Sequence, residues 1–187
     1  MQAQARIAAG EAQQTTARRV RSSAPLFCEV QDWLFDEADL LDSMRDREWC
    51  DTMLSKDIVY RMPVREVVGR GISAGFIEGV YHLNETHGTI NMKVARNETG
   101  FAWAEDPATR TRHFVSNLRV YEHEDGTLEA KSALLLVQTR RSDTHANIIA
   151  SERHDRLRRE GETLRLFKRD VYVDLTALEV HNLAVFF

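Results

Sequence analysis

Apolar residues recur at helical spacing near the start of the chain. Val30, Trp33, Leu34, Ala38 and Leu41 form one stripe, and Glu29, Asp32, Asp36 and Asp39 lie opposite, the pattern of an amphipathic helix. The acids fall early, where the helix dipole favours negative charge. A shorter helix is predicted next, with Trp49, Cys50, Met53 and Leu54 on one face and Asp46 as its cap. Ile58, Tyr60 and Met62 then alternate with polar neighbours up to Pro63, which reads as a short strand with a stop signal. Gly69, Gly71, Gly75 and Gly79 punctuate residues 64–82 and predict a surface loop. A third helix is expected from a cap at Asn84 to about Asn97, with Leu83, Ile90 and Val94 on its apolar side. Gly88 weakens its first turn.

In the second half the period changes to 2. Phe114, Ser116, Leu118 and Val120 point one way, and Val115, Asn117, Arg119 and Tyr121 the other. Asp125-Gly126 marks a hairpin turn. Leu128 to Thr139 returns as a long strand, Ser142-Asp143 turns, Ala146 to Arg156 runs back, Glu160-Gly161 turns, and Leu164 to Leu175 makes a fourth strand. Strands this long twist and coil, which leaves a concave face for the early helices to cover. The expected fold is therefore α+β: a long curved antiparallel sheet wrapped around the N-terminal helices as a cone. Residues 25–187 are expected to form this single domain. Residues 1–24, rich in Gln, Ala and Arg and poor in large apolar side chains, are expected to be a flexible arm, or one that orders on a neighbouring subunit.

Composition narrows the function. The 187 residues carry a net charge of −4 and a pI near 6.0, against the basic surface that phosphate binding requires. Cys28 and Cys50 are too few for an iron–sulfur cluster and do not form a disulfide framework, so a reducing cytoplasm is expected. Cys50, beside Trp49 in an apolar pattern, reads as a buried thiol. No apolar run approaches the roughly 20 residues of a membrane span, and the N-terminus lacks the apolar centre of a secretory signal.

Candidate chemistry is thin. The run Val67 to Gly75 resembles a dinucleotide fingerprint, but its last gap is one residue too long and it does not sit in a βαβ unit. His82 and His87, with Glu78 and Glu85 nearby, offer metal-ligand types. At i and i+5 on a helix they would point about 140° apart. Asp42, His113 and Asp155 are acids and a base that a cone pocket could bring together for proton transfer, although each residue type is more often a cap or an ion pair. Ser116 lacks a nucleophile elbow. Arg153, Arg156, Arg158, Arg159, Arg165, Lys168 and Arg169 alternate with acids, as on a paired, solvated sheet surface or a polar interface. The densest segment is Trp103 to Asn117. Trp103, Glu105, Arg110, Arg112 and His113 are its candidate subunit-interface residues, because Trp and Arg are favoured at interfaces and Arg forks onto carboxylates. A structural corner pinning the first long strand is the equal alternative. The N-terminal arm and the apolar C-terminus are further interface candidates.

Several segments together resemble one family. They are Glu37-Ala38-Asp39-Leu40-Leu41-Asp42, Tyr60-Arg61-Met62-Pro63-Val64-Arg65, Asn84-Glu85-Thr86, Trp103 to Asn117, Ser151 to Arg159, and Asn182-Leu183-Ala184-Val185-Phe186-Phe187. In this order they resemble the small (beta) subunit of bacterial aromatic-ring-hydroxylating dioxygenases, over nearly all of residues 28–187. The resemblance implies a cystatin-like, nuclear-transport-factor-like cone. It implies a non-catalytic structural chain with no metal, cofactor-binding or catalytic residues of its own. Its partner would be a large (alpha) subunit carrying a Rieske iron–sulfur cluster and a mononuclear iron, and three copies of each would form a hexamer. The complex would convert aromatic compounds to cis-dihydrodiols. The competing readings are a stand-alone cone-fold dehydratase or isomerase, and a small-molecule-binding module.

Overall fold

The computed structural model describes residues 17–66, 75–98, 109–139, 144–176 and 185–187. The elements in order are β1 (Arg18–Val20), α1 (Pro25–Asp42), α2 (Asp46–Thr52), β2 (Leu54–Arg65), β3 (Phe76–Thr86), α3 (His87–Glu98), β4 (Arg110–Glu122), β5 (Leu128–Thr139), β6 (Asn147–Glu160) and β7 (Thr163–Val173). They form one sheet of order β1-β4-β5-β6-β7-β2-β3. The meander β4 to β7 is antiparallel throughout, and β2 joins it parallel to β7. The helices cover the inner face, where Val30, Trp33, Leu34, Leu40 and Leu41 of α1 are buried. This is the α+β cone that the two periodicities predict.

Five local expectations are corrected. Residues 76–82 are not loop: they begin β3, an edge strand whose many exposed positions hide the alternation that would reveal it. Asn84 does not cap a helix, because it lies in β3 opposite Arg61. The cap of α3 is Thr86, whose Oγ1 accepts from Thr89 N while Thr89 Oγ1 accepts from Thr86 N. Asp46 is the first residue of α2 and not its cap, since Arg45 precedes the helix without a side-chain cap bond. Pro63 does not end its strand; β2 continues to Arg65 across register shifts on both sides of the proline, and such an irregularity is where a proline inside a sheet is tolerated. The fifth correction concerns β4. Strict alternation would place Phe114 with Val120, but the β4–β5 register slips between Ser116 and Arg119, and Asn117 has φ 53°. Asparagine tolerates that left-handed geometry, and the bulge reverses the phase of the strand. Phe114 and Ser116 therefore face outward, while Val115, Leu118 and Val120 pack against the core.

Arg18–Val20, inside the span expected to be an arm, pairs with Val120–Glu122 as a short edge strand. Most of the glycine-rich run, the Ser142-Asp143 turn, Trp103 and Glu105 lie outside the described residues. The other two turns are present, with Gly126 at φ 78° and Gly161 at φ 66°, values that favour glycine.

Candidate functional site

The cone interior is the natural place for a site, and one row of side chains across the sheet builds it. Val120 pairs with Ala130, Ala130 with Asp155, Asp155 with Arg169, and Arg169 with Tyr60. Directly paired residues share a face, and all five are buried. Glu37 descends on this row from α1. It sits one turn after Trp33 and Leu34 and one turn before Leu41, so the helical period carries it inward with the apolar residues.

Four buried charges meet there. Arg169 forks onto Glu37 through Nη1 at 2.9 Å and Nη2 at 2.7 Å. It also forks onto Asp155 through Nε at 2.6 Å and Nη2 at 2.8 Å. Arg153 Nη1 donates to Glu37 at 3.1 Å, and Trp49 Nε1 donates to the same carboxylate at 3.0 Å. Burial opposes the charge on Glu37, yet Arg169 and Arg153 with their hydrogen bonds hold its carboxyl below the ordinary value. Burial likewise opposes the charge on Arg169, and Asp155 with Glu37 holds it up. Arg153 is pushed down by burial and by the charge of Arg169. Two acids and two bases leave the cluster neutral. The basic stretch is thus not wholly a solvated surface: Arg153 and Arg169 are core residues.

Asp42 and His113 do come together. Asp42, the last residue of α1, accepts from His113 N at 3.1 Å and lies 2.6 Å from His113 Nδ1. His113 Nε2 lies 3.0 Å from the Phe186 carbonyl oxygen. Both ring nitrogens are engaged by oxygen atoms, so neither points into open space. Burial raises the Asp42 carboxyl, but the His113 hydrogen bonds more than offset it and the net direction is down. The pair pins the end of α1 to the start of β4. Asp155 is held by Arg169 and does not join it.

The segment Val185–Phe187 packs into the cone interior beside this row, with Phe186 and Phe187 buried. Phe186 lies with its ring centroid 4.5 Å from that of Trp49 and 6.4 Å from that of Tyr60. Tyr60 Oη donates to the Phe187 carbonyl at 2.9 Å and accepts from Phe187 N at 2.7 Å. Arg169 Nη1 donates to the same carbonyl at 2.7 Å. Burial pushes the Tyr60 hydroxyl up to about 12, which keeps it a neutral donor.

His82 and His87 are separated by the β3–α3 junction, and His87 Nε2 lies 3.2 Å from Lys56 Nζ and 3.9 Å from Cys50 Sγ. Burial raises the Cys50 thiol, which makes it a poor nucleophile. Among the described residues no three His, Cys, Asp or Glu side chains converge as a metal-ligand set. No described helix is long and apolar enough to cross a membrane.

The outer face of the sheet is the reverse of the interior. Phe114 pairs with Leu135, and Val137 with Ile148. Phe114 is 54% exposed, Leu135 39% and Ile148 58%. Beside this apolar patch the outer surface carries mixed charge, with Arg119–Glu152, Lys131–Glu129 and Lys168–Asp170 pairs. Of the expected interface residues, Arg110 and Arg112 are exposed on the same strand, Arg112 reaching Asp42 at 3.4 Å, whereas His113 faces inward. Sequence reasoning missed Glu37 and the outward turn of Phe114. The first was signalled by its helical position; the second depends on the bulge.

A family model described as "Ring hydroxylating beta subunit" matches residues 36–179. The fold is similar to a chain of naphthalene 1,2-dioxygenase solved with indole in its active site, with TM-score 0.75 and 24% identity over 86% of this chain and 84% of that one. It is also similar to the beta subunit of benzoate 1,2-dioxygenase from Burkholderia mallei, with TM-score 0.64 and 17% identity over 79% and 89%. ActVI-ORFA from Streptomyces coelicolor shares the cone, with TM-score 0.56 and 18% identity over 81% and 98%.

Proposed function

The chain belongs to the ring-hydroxylating beta subunit family, and from that premise we propose that it is the non-catalytic structural subunit of an aromatic-ring-hydroxylating dioxygenase. Its partner is a large subunit that carries the Rieske cluster and the mononuclear iron. Three copies of each chain make the hexamer, and the complex converts an aromatic ring to a cis-dihydrodiol in the cytoplasm. The observation that carries this reading is the inversion of polarity between the two faces of the sheet. Charges and aromatic rings close the interior, while large apolar side chains stand exposed outside, where monomeric proteins rarely keep them.

The outer apolar patch is proposed as the surface that meets a second copy of this chain. The mixed charges beside it suit self-association, because neither sign dominates. Arg110 and Arg112, with Trp103 and Glu105, remain the proposed contacts toward a neighbouring subunit. His113 would support them from inside by anchoring their strand to Asp42. A stand-alone dehydratase or isomerase needs an open pocket and a free base. The seated Phe186 and Phe187, and a His113 whose two ring nitrogens are both engaged, count against it.

Co-expression with a large (alpha) subunit of a ring-hydroxylating dioxygenase tests the reading. The expected result is co-purification as a three-plus-three complex, with ring dihydroxylation absent when either chain is omitted and iron bound only when the large chain is present. An iron-loaded, active preparation of this chain alone would contradict it.

A further inference from the structure

The side chains that hold Val185–Phe187 in the cone interior amount to a receptor. Trp49 offers a ring face, and Phe186 occupies it at 4.5 Å. Three buried donors each reach a backbone oxygen of this segment: His113 Nε2 that of Phe186 at 3.0 Å, and Tyr60 Oη and Arg169 Nη1 that of Phe187 at 2.9 and 2.7 Å. Every bond between these donors and the segment is to backbone, so the donors recognise main-chain polar atoms and not a particular side chain. Were the segment to leave, all three would lose acceptors in a buried site, which is costly. An apolar hole would also open beside Trp49, and apolar cavities of that kind take up small aromatic molecules. The cradle need not collapse with it. Arg169 keeps its forks on Glu37 and Asp155, and Asp42 keeps His113 in place.

We propose that the cradle around Trp49, Tyr60, His113 and Arg169 is a binding site for a monocyclic aromatic compound bearing a carbonyl acceptor two carbons from the ring, and that Val185–Phe187 is its built-in, displaceable occupant. The spacing is that of Phe186 itself: its ring rests on Trp49 while its carbonyl, across Cβ and Cα, meets His113. The site binds and does not catalyse, and it does not depend on the assembly proposed above. An attached occupant competes at high effective concentration, so free ligand enters readily only when the segment is removed or displaced.

The test uses a chain truncated after residue 184, titrated with 3-phenylpropanamide and followed by melting temperature and Trp fluorescence. Propylbenzene, which lacks the acceptor, and propanamide, which lacks the ring, are the controls. The expected result is saturable binding with a Tm rise of about 3–6 °C at ten times the Kd. Each control should bind at least tenfold more weakly, and the full-length chain should need at least tenfold more ligand. A folded truncated chain that shows no ligand-dependent rise, or that answers equally to the controls, overturns the proposal. If the truncated chain does not fold alone, it is refolded in the presence of 3-phenylpropanamide or of either control. A cooperative melt recovered with the first and not with the controls supports the site, and recovery with none, or equally with the controls, overturns it.

Discussion

The inner and outer faces of this sheet break the usual pairing of polarity and burial in opposite directions. Inside, Glu37, Asp155, Arg153 and Arg169 are buried charges, tolerated because each is paired and hydrogen-bonded in a neutral cluster. Outside, Phe114, Leu135 and Ile148 are apolar groups that stand exposed. Buried ion pairs contribute little net stability over an apolar replacement. The cluster is better understood as fixing one arrangement of α1, the sheet and the Val185–Phe187 segment. The outer patch contributes nothing to the monomer and becomes useful only when another surface covers it.

Substitutions on the two faces should therefore separate cleanly. The largest effect is expected inside. Glu37→Gln leaves two buried guanidinium groups undercompensated and should cost about 3–5 kcal/mol, measured by urea unfolding, with a Tm fall of roughly 10 °C or more. A loss below about 1 kcal/mol would mean the cluster is already hydrated or loosely paired.

Acid should reach this cluster and the Asp42–His113 pair. Glu37 and Asp42 are held below their ordinary values of 4.5 and 3.8 by their partners, despite burial. The unfolded chain binds more protons than the folded one as pH falls through that range, so the stabilisation is complete above it and is lost progressively below. Tm measured stepwise from pH 7 to pH 3 should fall, and Glu37→Gln should flatten the fall. Asp57 is held at about 2 chiefly by Arg158, but its side chain is largely exposed and solvent screens the pair. Asp57→Asn should leave the acid limb nearly unchanged.

Outside, Phe114→Ser should change monomer stability by no more than about 0.5 kcal/mol while weakening self-association at least tenfold, read by sedimentation. The smallest effect is expected at the rim. Arg112→Glu removes a 3.4 Å contact with Asp42 from an exposed side chain, worth under about 1 kcal/mol to the fold. It should weaken assembly severalfold on gel filtration, more than it weakens the monomer.

The meander and the first two helices were legible because hydrophobic period reports directly on burial. The bounds of β5 match the expected strand at both ends. β3 was not legible, because an edge strand with many exposed residues has no buried side to impose alternation. The outward position of Phe114 was hidden by a single left-handed asparagine, a backbone event with no hydrophobic signature. In the interior, the sequence showed Arg153 and Arg169 only as members of an alternating charge run. Their burial follows from strand parity, since Arg153 and Asp155 share parity with Leu157, and Arg169 with Val171. What parity cannot show is that Glu37 meets them, because that contact spans 116 positions for Arg153 and 132 for Arg169.

The most direct measurement is sedimentation velocity of the purified Phe114→Ser/Leu135→Ser/Ile148→Ser variant beside the native chain, with Tm recorded on the same samples. If the outer face is the working surface of this subunit, the native chain sediments as a trimer and the variant as a monomer that still melts cooperatively, with a Tm lower only by what association adds to the native chain. A variant that remains trimeric, or a native chain that is monomeric at every concentration, would contradict that assignment.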